Sequence, residues 1–281
     1  MSSDGKRVAF VTWVDGRNVA VVNGEVGESF DAVSWPLAIS AGGVVAYSAR
    51  EGDRQYVLRD ANKSRPYRWV SNPVLSADGN HIAYAASDGR GWFAVREGVE
   101  GPKYGWVGNV VLDRSGRMAY VAEDRGAAFL VYDGKPGPAF DRVTRPAFLA
   151  NGQPVYGALK EKEWFLVVGD RAASAEGPIS SVFAGSRAGY VVERPDGYAV
   201  VADRRGTTFE WVGWPTFASD GRVVYLAARG KTKFLAVGER TIELGEWVVW
   251  DPVISPDGTR IGFGAKIGRE LWWKVLPLAG P

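Results

Sequence analysis

His81 is the residue that most suggests catalysis, because it is the only histidine in the chain of 281 residues. One histidine cannot supply a multi-histidine metal site, and a serine triad would have to be assembled around it. Neither a Gly-x-Ser-x-Gly elbow nor a glycine-rich phosphate loop followed by Lys-Ser or Lys-Thr occurs. His81 directly follows the turn Asp78-Gly79-Asn80, and we therefore expect it to be a surface residue beside that turn.

Carboxylates in similar turns recur singly rather than in pairs, at Asp4, Asp78, Asp220 and Asp257. An aspartate in such a turn accepts hydrogen bonds from local backbone amides, so we assign these residues to turn geometry. The chain has no cysteine, and its acidic and basic residues are interleaved with a net charge of +2. We expect no cofactor, no metal site and no nucleic-acid partner.

These turns belong to a sequence motif that recurs eight times, at intervals of 34 to 38 residues. Each copy is a small polar turn followed by an apolar run that ends in an aromatic. The closing aromatics are Phe10, Tyr47, Tyr84, Tyr120, Tyr156, Tyr190, Tyr225 and Phe263. A fixed period in this range indicates an array of one supersecondary unit. Turn residues divide each copy into short apolar runs without helical periodicity, which predicts four antiparallel strands per copy.

Small four-stranded sheets bury both faces when they stack radially around an axis. The predicted fold class is therefore an all-β propeller with four-stranded antiparallel blades, forming a single domain over residues 1–281. Hairpins between second and third strands number eight, so eight blades are preferred and seven are the alternative. The chain has no run of 18 apolar residues and no apolar signal region, which predicts a cytoplasmic protein without membrane insertion.

Twelve tryptophans are the main anomaly of the composition, and many of them recur at two points of the repeat. One set precedes valine at the predicted end of the fourth strand, where we expect the rings to pack between adjacent sheets. Its members are Trp69, Trp106, Trp211 and Trp247.

The second set stands directly before the predicted first strand, in the connection that runs toward the central channel of a propeller. With the polar residues at equivalent points of other repeats, it comprises Trp35, Asn72, Asn109, Arg145, Trp214, Trp250 and Asp251. Aromatic anchors among a few polar groups are typical of binding hot spots, although these tryptophans also suit a cap on the hydrophobic core. Trp272 and Trp273 are further candidates for partner binding. Adjacent residues of a strand point to opposite faces, so at least one of the two rings should leave the packed side of the blade.

The copy Ser255-Pro256-Asp257-Gly258-Thr259-Arg260-Ile261-Gly262-Phe263, with its relatives at 76–84 and 219–225, resembles the TolB-type, WD-like propeller repeat. This resemblance covers nearly the whole chain and implies the architecture but no particular activity. The tryptophan density and the segment 271–275 are also similar to the tryptophan-rich propeller subunit of transmembrane redox complexes of sulfate-reducing bacteria. That second resemblance implies a cofactor-free subunit held against membrane and iron–sulfur partners.

Two functions remain open on the sequence. An interaction scaffold or accessory subunit without enzyme activity is favoured, because no catalytic set is visible and the predicted first strands are apolar. Its expected partners are other protein subunits, including those of a membrane-bound electron-transfer complex. The alternative is a small-ligand-binding or hydrolytic propeller with its site at the mouth of the central channel.

Overall fold

The structure is a computed structural model that describes residues 6–213, 215–245, 253–255, 259–267 and 269–278. Every helix or strand assigned within these ranges is a β-strand, which confirms the predicted all-β class. The chain divides into two compact units, Met1–Pro146 (unit one) and Ala147–Pro281 (unit two). A single domain over the whole chain stays a prediction.

Unit one contains four antiparallel sheets, numbered one to four along the chain. Sheet one consists of β1 (Ala9–Val14), β2 (Arg17–Val22) and β3 (Glu25–Phe30). Sheet two consists of β4 (Ala32–Val33), β5 (Ala38–Ile39), β6 (Val45–Glu51), β7 (Arg54–Arg59) and β8 (Asn62–Lys63). Sheet three consists of β9 (Trp69–Val70), β10 (Val74–Leu75), β11 (Ile82–Ser87), β12 (Trp92–Arg96) and β13 (Val99–Glu100). Sheet four consists of β14 (Trp106–Leu112), β15 (Met118–Asp124), β16 (Ala127–Tyr132) and β17 (Lys135–Pro136), and β18 (Arg142–Val143) follows it.

Unit two contains sheets five to eight. Sheet five includes β19 (Ala147–Phe148), β20 (Pro154–Lys160), β21 (Glu163–Val168) and β22 (Arg171–Ser174). Sheet six consists of β23 (Ile179–Ala184), β24 (Ala188–Arg194) and β25 (Gly197–Val201). Sheet seven consists of β26 (Trp211–Val212), β27 (Thr216–Phe217), β28 (Val223–Arg229), β29 (Thr232–Val237) and β30 (Arg240–Gly245). Sheet eight consists of β31 (Val253–Ile254), β32 (Arg260–Ile267) and β33 (Glu270–Pro277).

Each sheet is built from hairpins between consecutive strands, as the glycine-rich turns predict. Asp15 and Gly16 join β1 to β2 with φ of 49° and 78°. Positive φ at both central residues is the conformation of the tight hairpin turn that matches the twist of the strands. Along the described chain, sheet one has no first strand and sheet eight has no fourth strand. The described residues thus form eight sheets, while the number of blades stays a prediction.

The aromatics that close the second strands form the core, as predicted. Tyr84, Tyr120, Tyr156 and Tyr225 are each at most 4% exposed. Tyr84, Tyr120 and Tyr225 belong to clusters that join successive sheets, for example sheets three and four around Tyr120. Phe10 differs, with 47% of its surface exposed, because it lies on β1, which has no first strand beside it in the described part of sheet one.

One turn aspartate, Asp113, is buried with only 5% of its side chain exposed. Its Oδ1 accepts hydrogen bonds from the backbone amides of Ser115 (2.8 Å) and Arg117 (2.9 Å) and from the Ser115 hydroxyl. Its Oδ2 accepts one from Nε of Arg117 at 2.7 Å. Burial acts to raise the pKa of Asp113, but these hydrogen bonds outweigh it and hold the pKa below its ordinary value.

We expect Asp113→Asn to lower the free energy of unfolding at neutral pH by about 1–3 kcal/mol, because it removes charge-assisted hydrogen bonds from a buried turn. The pKa is depressed on folding, so the stabilisation is present above the unfolded pKa of about 4 and is lost as pH falls through the folded pKa. Urea unfolding of both proteins between neutral and acidic pH measures this. Asp220→Asn is the control, since Asp220 makes similar bonds to Arg222 with a side chain 46% exposed and should cost less. If the unfolding free energies of Asp113→Asn and the unmodified protein differ by the same amount throughout the acidic range, this role for Asp113 is contradicted.

Candidate functional site

The first strand of several sheets carries a bulge opposite the second-strand aromatic. In sheet two, β4 and β5 both pair with β6, with Val33 opposite Ala49 and Ala38 opposite Ala46. The amide of Ser34 donates to the carbonyl of Ser48, so that residues 35–37 lie opposite a single residue of β6. A bulge of this kind turns side chains away from the regular strand pattern.

Sheets three and four repeat the bulge at the equivalent point. Asn72 and Pro73 lie opposite Tyr84 in sheet three, between the pairs Ser71–Ala85 and Val74–Ala83. Asn109 and Val110 lie opposite Tyr120 in sheet four, where the register of β14 shifts. In sheet seven, the pairs Gly213–Leu226 and Thr216–Val224 flank Tyr225 in the same way.

The local sequence explains these bulges. Pro36 and Pro73 lack the amide hydrogen that a regular ladder requires at their positions. Asn109 has a φ of 54°, the left-handed conformation that asparagine tolerates better than most residues. The hydroxyl oxygens of Ser34 and Ser71 accept hydrogen bonds of 2.9 Å from the amides of Ser48 and Ala85. These bonds fix the two bulges against the second strands.

Trp35, Asn72 and Asn109 lie in these bulges, and together with Arg145, from the segment between β18 and β19, we call them the bulge row. All four side chains are exposed, and Trp35 has 75% of its surface exposed. The strands that carry the first three are neighbours, because β5 contacts β10 and β10 contacts β14. Asn72 is also tied to sheet two, since the hydroxyl of Ser48 donates to its Oδ1 at 3.3 Å. Arg145 follows β18, which contacts β16 of sheet four.

The tryptophan that precedes valine is not where the sequence predicts it. Trp69, Trp106 and Trp211 begin the first strand of a sheet rather than ending a fourth strand, because each pairs with the second strand that follows it. Trp69 is 38% and Trp211 is 44% exposed, whereas Val70 and Val107 are buried. The valine therefore fills the core and the tryptophan covers its edge. Trp247 lies outside the described residues.

The predicted location of the second tryptophan set also differs from the structure. The sequence predicts it in loops before the first strands, but Asn72 and Asn109 lie in bulges inside them, since pairing resumes on both sides. Trp214, Trp250 and Asp251 lie outside the described residues, so their predicted role is untested. On β33, Trp272 is 52% and Trp273 is 59% exposed.

Residues with acid–base chemistry serve local structure in the described part of the chain. His81 lies beside its turn, with Nδ1 3.6 Å from a carboxylate oxygen of Glu97. The hydroxyl of Ser76 and then the amide of Asn80 lower the pKa of Asp78, which confirms its role in turn geometry. No group of three or more potential metal ligands occurs among the described residues. The described part of the chain forms no helix that is long and apolar enough to cross a membrane.

Comparison with solved structures identifies the architecture. The chain is similar to dihydro-heme d1 dehydrogenase NirN, with 12% identity and a TM-score of 0.51 over 86% of this chain and 65% of that one. It is also similar to the β-propeller domain of the Trilobed protease from Pyrococcus furiosus, with 11% identity and a TM-score of 0.50 over 90% of this chain and 94% of that one. The fold is a β-propeller, as predicted. Neither the protein-family models nor the curated proteins contain a match.

The prediction that the chain has no enzyme activity is wrong on these comparisons. The two similar structures described above are an enzyme, the dehydrogenase, and a domain of a protease. This chain spans 65% of the length of the dehydrogenase. The propeller fold therefore gives no reason to exclude catalysis, although the similarity assigns no reaction to this chain.

Proposed function

We propose that the chain is a ligand-binding propeller whose bulge row binds a short peptide-like ligand. The observation that carries this proposal is the exposed indole of Trp35 on a first strand next to the one that presents the side-chain amide of Asn72. The proposal follows the alternative that the sequence left open, a small-ligand-binding or hydrolytic propeller with its site at the mouth of the central channel. The TolB-type repeat, the interaction scaffold and the cytoplasmic location stay predictions.

The chemistry of the bulge row fits a peptide better than a wholly apolar ligand. The face of Trp35 offers a flat apolar surface for an aromatic or aliphatic side chain. Each amide side chain, Asn72 and Asn109, has both donors and an acceptor and can pair with a peptide group. The guanidinium of Arg145 suits a carboxylate, which it can bind through two parallel hydrogen bonds.

The same row is held in place before any ligand arrives. The serine hydroxyls of Ser34 and Ser71 bind the second strands beside two of the bulges. The Asn72 amide is oriented by the hydroxyl of Ser48. Side chains that are already ordered cost less entropy to engage, so a small row of this kind supports useful affinity.

The binding test uses fluorescein-labelled tetrapeptides that contain phenylalanine and end in a free carboxylate or an amide, followed by fluorescence anisotropy. We expect Trp35→Ala to weaken binding about 10-fold or more, because truncation of a central tryptophan anchor typically costs over 1 kcal/mol. Arg145→Gln should reduce the preference for the free carboxylate. Chromatography of the same mixtures detects cleavage, because one of the similar structures is a domain of a protease.

Trp13→Ala is the matched control, since Trp13 is 69% exposed on β1 of the same unit but lies outside the bulge row. It should bind the peptides like the unmodified protein. The proposal is contradicted if none of the peptides binds at about 1 mM, which corresponds to only about 4 kcal/mol of binding free energy. Equal weakening by Trp13→Ala and Trp35→Ala also contradicts it.

A protein partner at β33 is a second proposal, and the exposed side chains of that strand support it. Leu271, Trp272, Trp273 and Val275 are each at least 51% exposed. Sheet eight has no fourth strand within the described ranges, so β33 offers a free edge to an added strand. Apolar edge strands of this kind are normally covered. Membership of a membrane-bound electron-transfer complex stays a prediction.

A further inference from the structure

A cavity of about 580 Å³ lies between sheets six and seven of unit two. The residues that line it include Arg187, which directly precedes β24, Ala202 and Arg205 from the segment after β25, and Arg222 from the turn before β28. A volume in this range is typical of small-molecule sites. All of these residues lie outside the bulge row.

Sheet six carries an alanine beside this cavity, at the position where sheets two and three carry an arginine. Arg59 directly follows Leu58, the partner of Tyr47, and Arg96 directly follows Val95, the partner of Tyr84. Their guanidinium groups cross to the next sheet and donate to turn carbonyls, Arg59 to Gly79 at 2.6 Å and Arg96 to Gly116 at 3.4 Å.

In sheet six the equivalent residue is Ala202, which follows Val201, the partner of Tyr190. Its methyl group is too short to cross to the next sheet as Arg59 and Arg96 do. Ala202 itself lines the cavity.

Arg187 makes the connection to sheet seven instead. Its Nη2 donates to the carbonyl of Gly221 at 2.9 Å and lies 2.9 Å from a carboxylate oxygen of Asp203. Its Nε is buried and has no hydrogen-bond partner among the described residues. A buried donor without a partner is costly, so this atom favours a ligand acceptor in the cavity.

The other arginines surround the same space. Arg222 is held by Asp220, with Nη2 2.6 Å from Oδ2, and donates to the carbonyl of Leu278 at 2.7 Å. Arg204 is paired with Glu239 at 3.1 Å, and both side chains are 83% exposed. Arg205 is paired with Glu176 at 3.1 Å. Exposed ion pairs contribute little to stability, so Arg204 and Arg205 can leave their partners and bind a ligand at a small cost in free energy.

We propose that this cavity binds a phosphorylated small molecule about the size of a sugar phosphate. The lining contains four arginines and three carboxylates, those of Asp203, Asp220 and Glu239, so its net charge is +1. The guanidinium fork matches phosphate geometry and remains charged at every physiological pH. Thr207 and Thr241 also line the cavity and supply hydroxyl groups for the remainder of the molecule.

The test is isothermal titration calorimetry with glucose 6-phosphate, inorganic phosphate and glucose. We expect glucose 6-phosphate to bind more tightly than phosphate, and glucose to show no binding at about 1 mM. Ala202→Arg should abolish binding, because the new side chain extends into the cavity that Ala202 lines and occupies it. The cavity has room for the added atoms, so the variant should fold, which thermal unfolding checks.

Two further variants keep the outcome decisive. Arg59→Gln removes an equivalent arginine between sheets two and three, and binding should stay within about twofold of the unmodified protein, a difference under 0.5 kcal/mol. The double variant R204Q/R205Q keeps the space but removes two donors, and affinity should fall about 10-fold or more. The proposal is overturned if glucose 6-phosphate does not bind, if it binds no better than glucose, or if neither Ala202→Arg nor the double variant changes its affinity.

Discussion

Tyr120→Ala is expected to lower the free energy of unfolding by about 3–5 kcal/mol, the usual cost of removing a buried aromatic ring. Tyr120 is 1% exposed and packs in the cluster that joins sheets three and four, with Ala83, Val107 and Met118 among its members. Burial, with a smaller contribution from Tyr104, raises the pKa of its hydroxyl far above the ordinary value. Urea unfolding followed by tryptophan fluorescence measures the effect.

Tyr120→Phe is the matched control, because it keeps the ring and removes only the hydroxyl. Its cost should be about 1 kcal/mol, the contribution of a typical hydrogen bond. An unfolding midpoint for Tyr120→Ala equal to that of the unmodified protein contradicts the strand register of sheet four. Equal losses for both variants would instead place the stabilisation in the hydroxyl.

Gly197→Ala is the second substitution with a large expected effect. Gly197 begins β25 with a φ of 133°, a conformation that residues with a side chain rarely adopt. A Cβ atom there would lie 2.1 Å from the carbonyl oxygen of Phe209. That oxygen accepts a 2.7 Å hydrogen bond from the amide of Tyr198. The strain therefore falls on the antiparallel bridge between Tyr198 of β25 and Phe209.

We expect Gly197→Ala to cost about 3 kcal/mol or more, the sum of backbone strain and overpacking. Gly126→Ala separates the two causes. Gly126 also has a positive φ, 83°, but nothing lies within 4 Å of its added Cβ, so about 1–2 kcal/mol of backbone strain is expected. Thermal unfolding of both variants measures the difference. Equal losses would mean that the contact with Phe209 relaxes freely.

The fold was predictable from sequence because its determinants are local and repeated. Turn motifs such as Asp15-Gly16 define hairpins within a few residues of chain. The aromatic residues of the second strands mark the core at a regular interval. Phe10 is the exception, since its exposure depends on whether a neighbouring strand exists rather than on its place in the repeat.

The site was predictable only in part, because strand pairing is not local. The sequence singled out Trp35, Asn72 and Asn109 but assigned them to loops. Their placement in bulges depends on which residues of the second strand resume pairing, and only the register reveals this. The Trp-Val pairs were assigned to the preceding strand for the same reason.

The cavity of unit two was missed. One residue beside it is an alanine, at 202, where Arg59 and Arg96 stand in two other repeats. The repeats have slightly different lengths, so this equivalence appears only when each residue is placed by its pairing with the second-strand tyrosine. Catalysis was excluded too readily, since the absence of a known motif says little about a fold that many enzymes share.

The central claim, that the bulge row binds ligand, is tested most directly by fluorine NMR of protein labelled with 5-fluorotryptophan. The chain has twelve tryptophans, and Trp35→Phe, Trp13→Phe, Trp272→Phe and Trp273→Phe assign four of their signals. Adding the carboxylate-terminated tetrapeptide should shift the Trp35 signal and leave the Trp13 signal unchanged. An unchanged Trp35 signal in protein saturated with peptide would contradict the claim, and shifts confined to Trp272 and Trp273 would place binding on β33 instead.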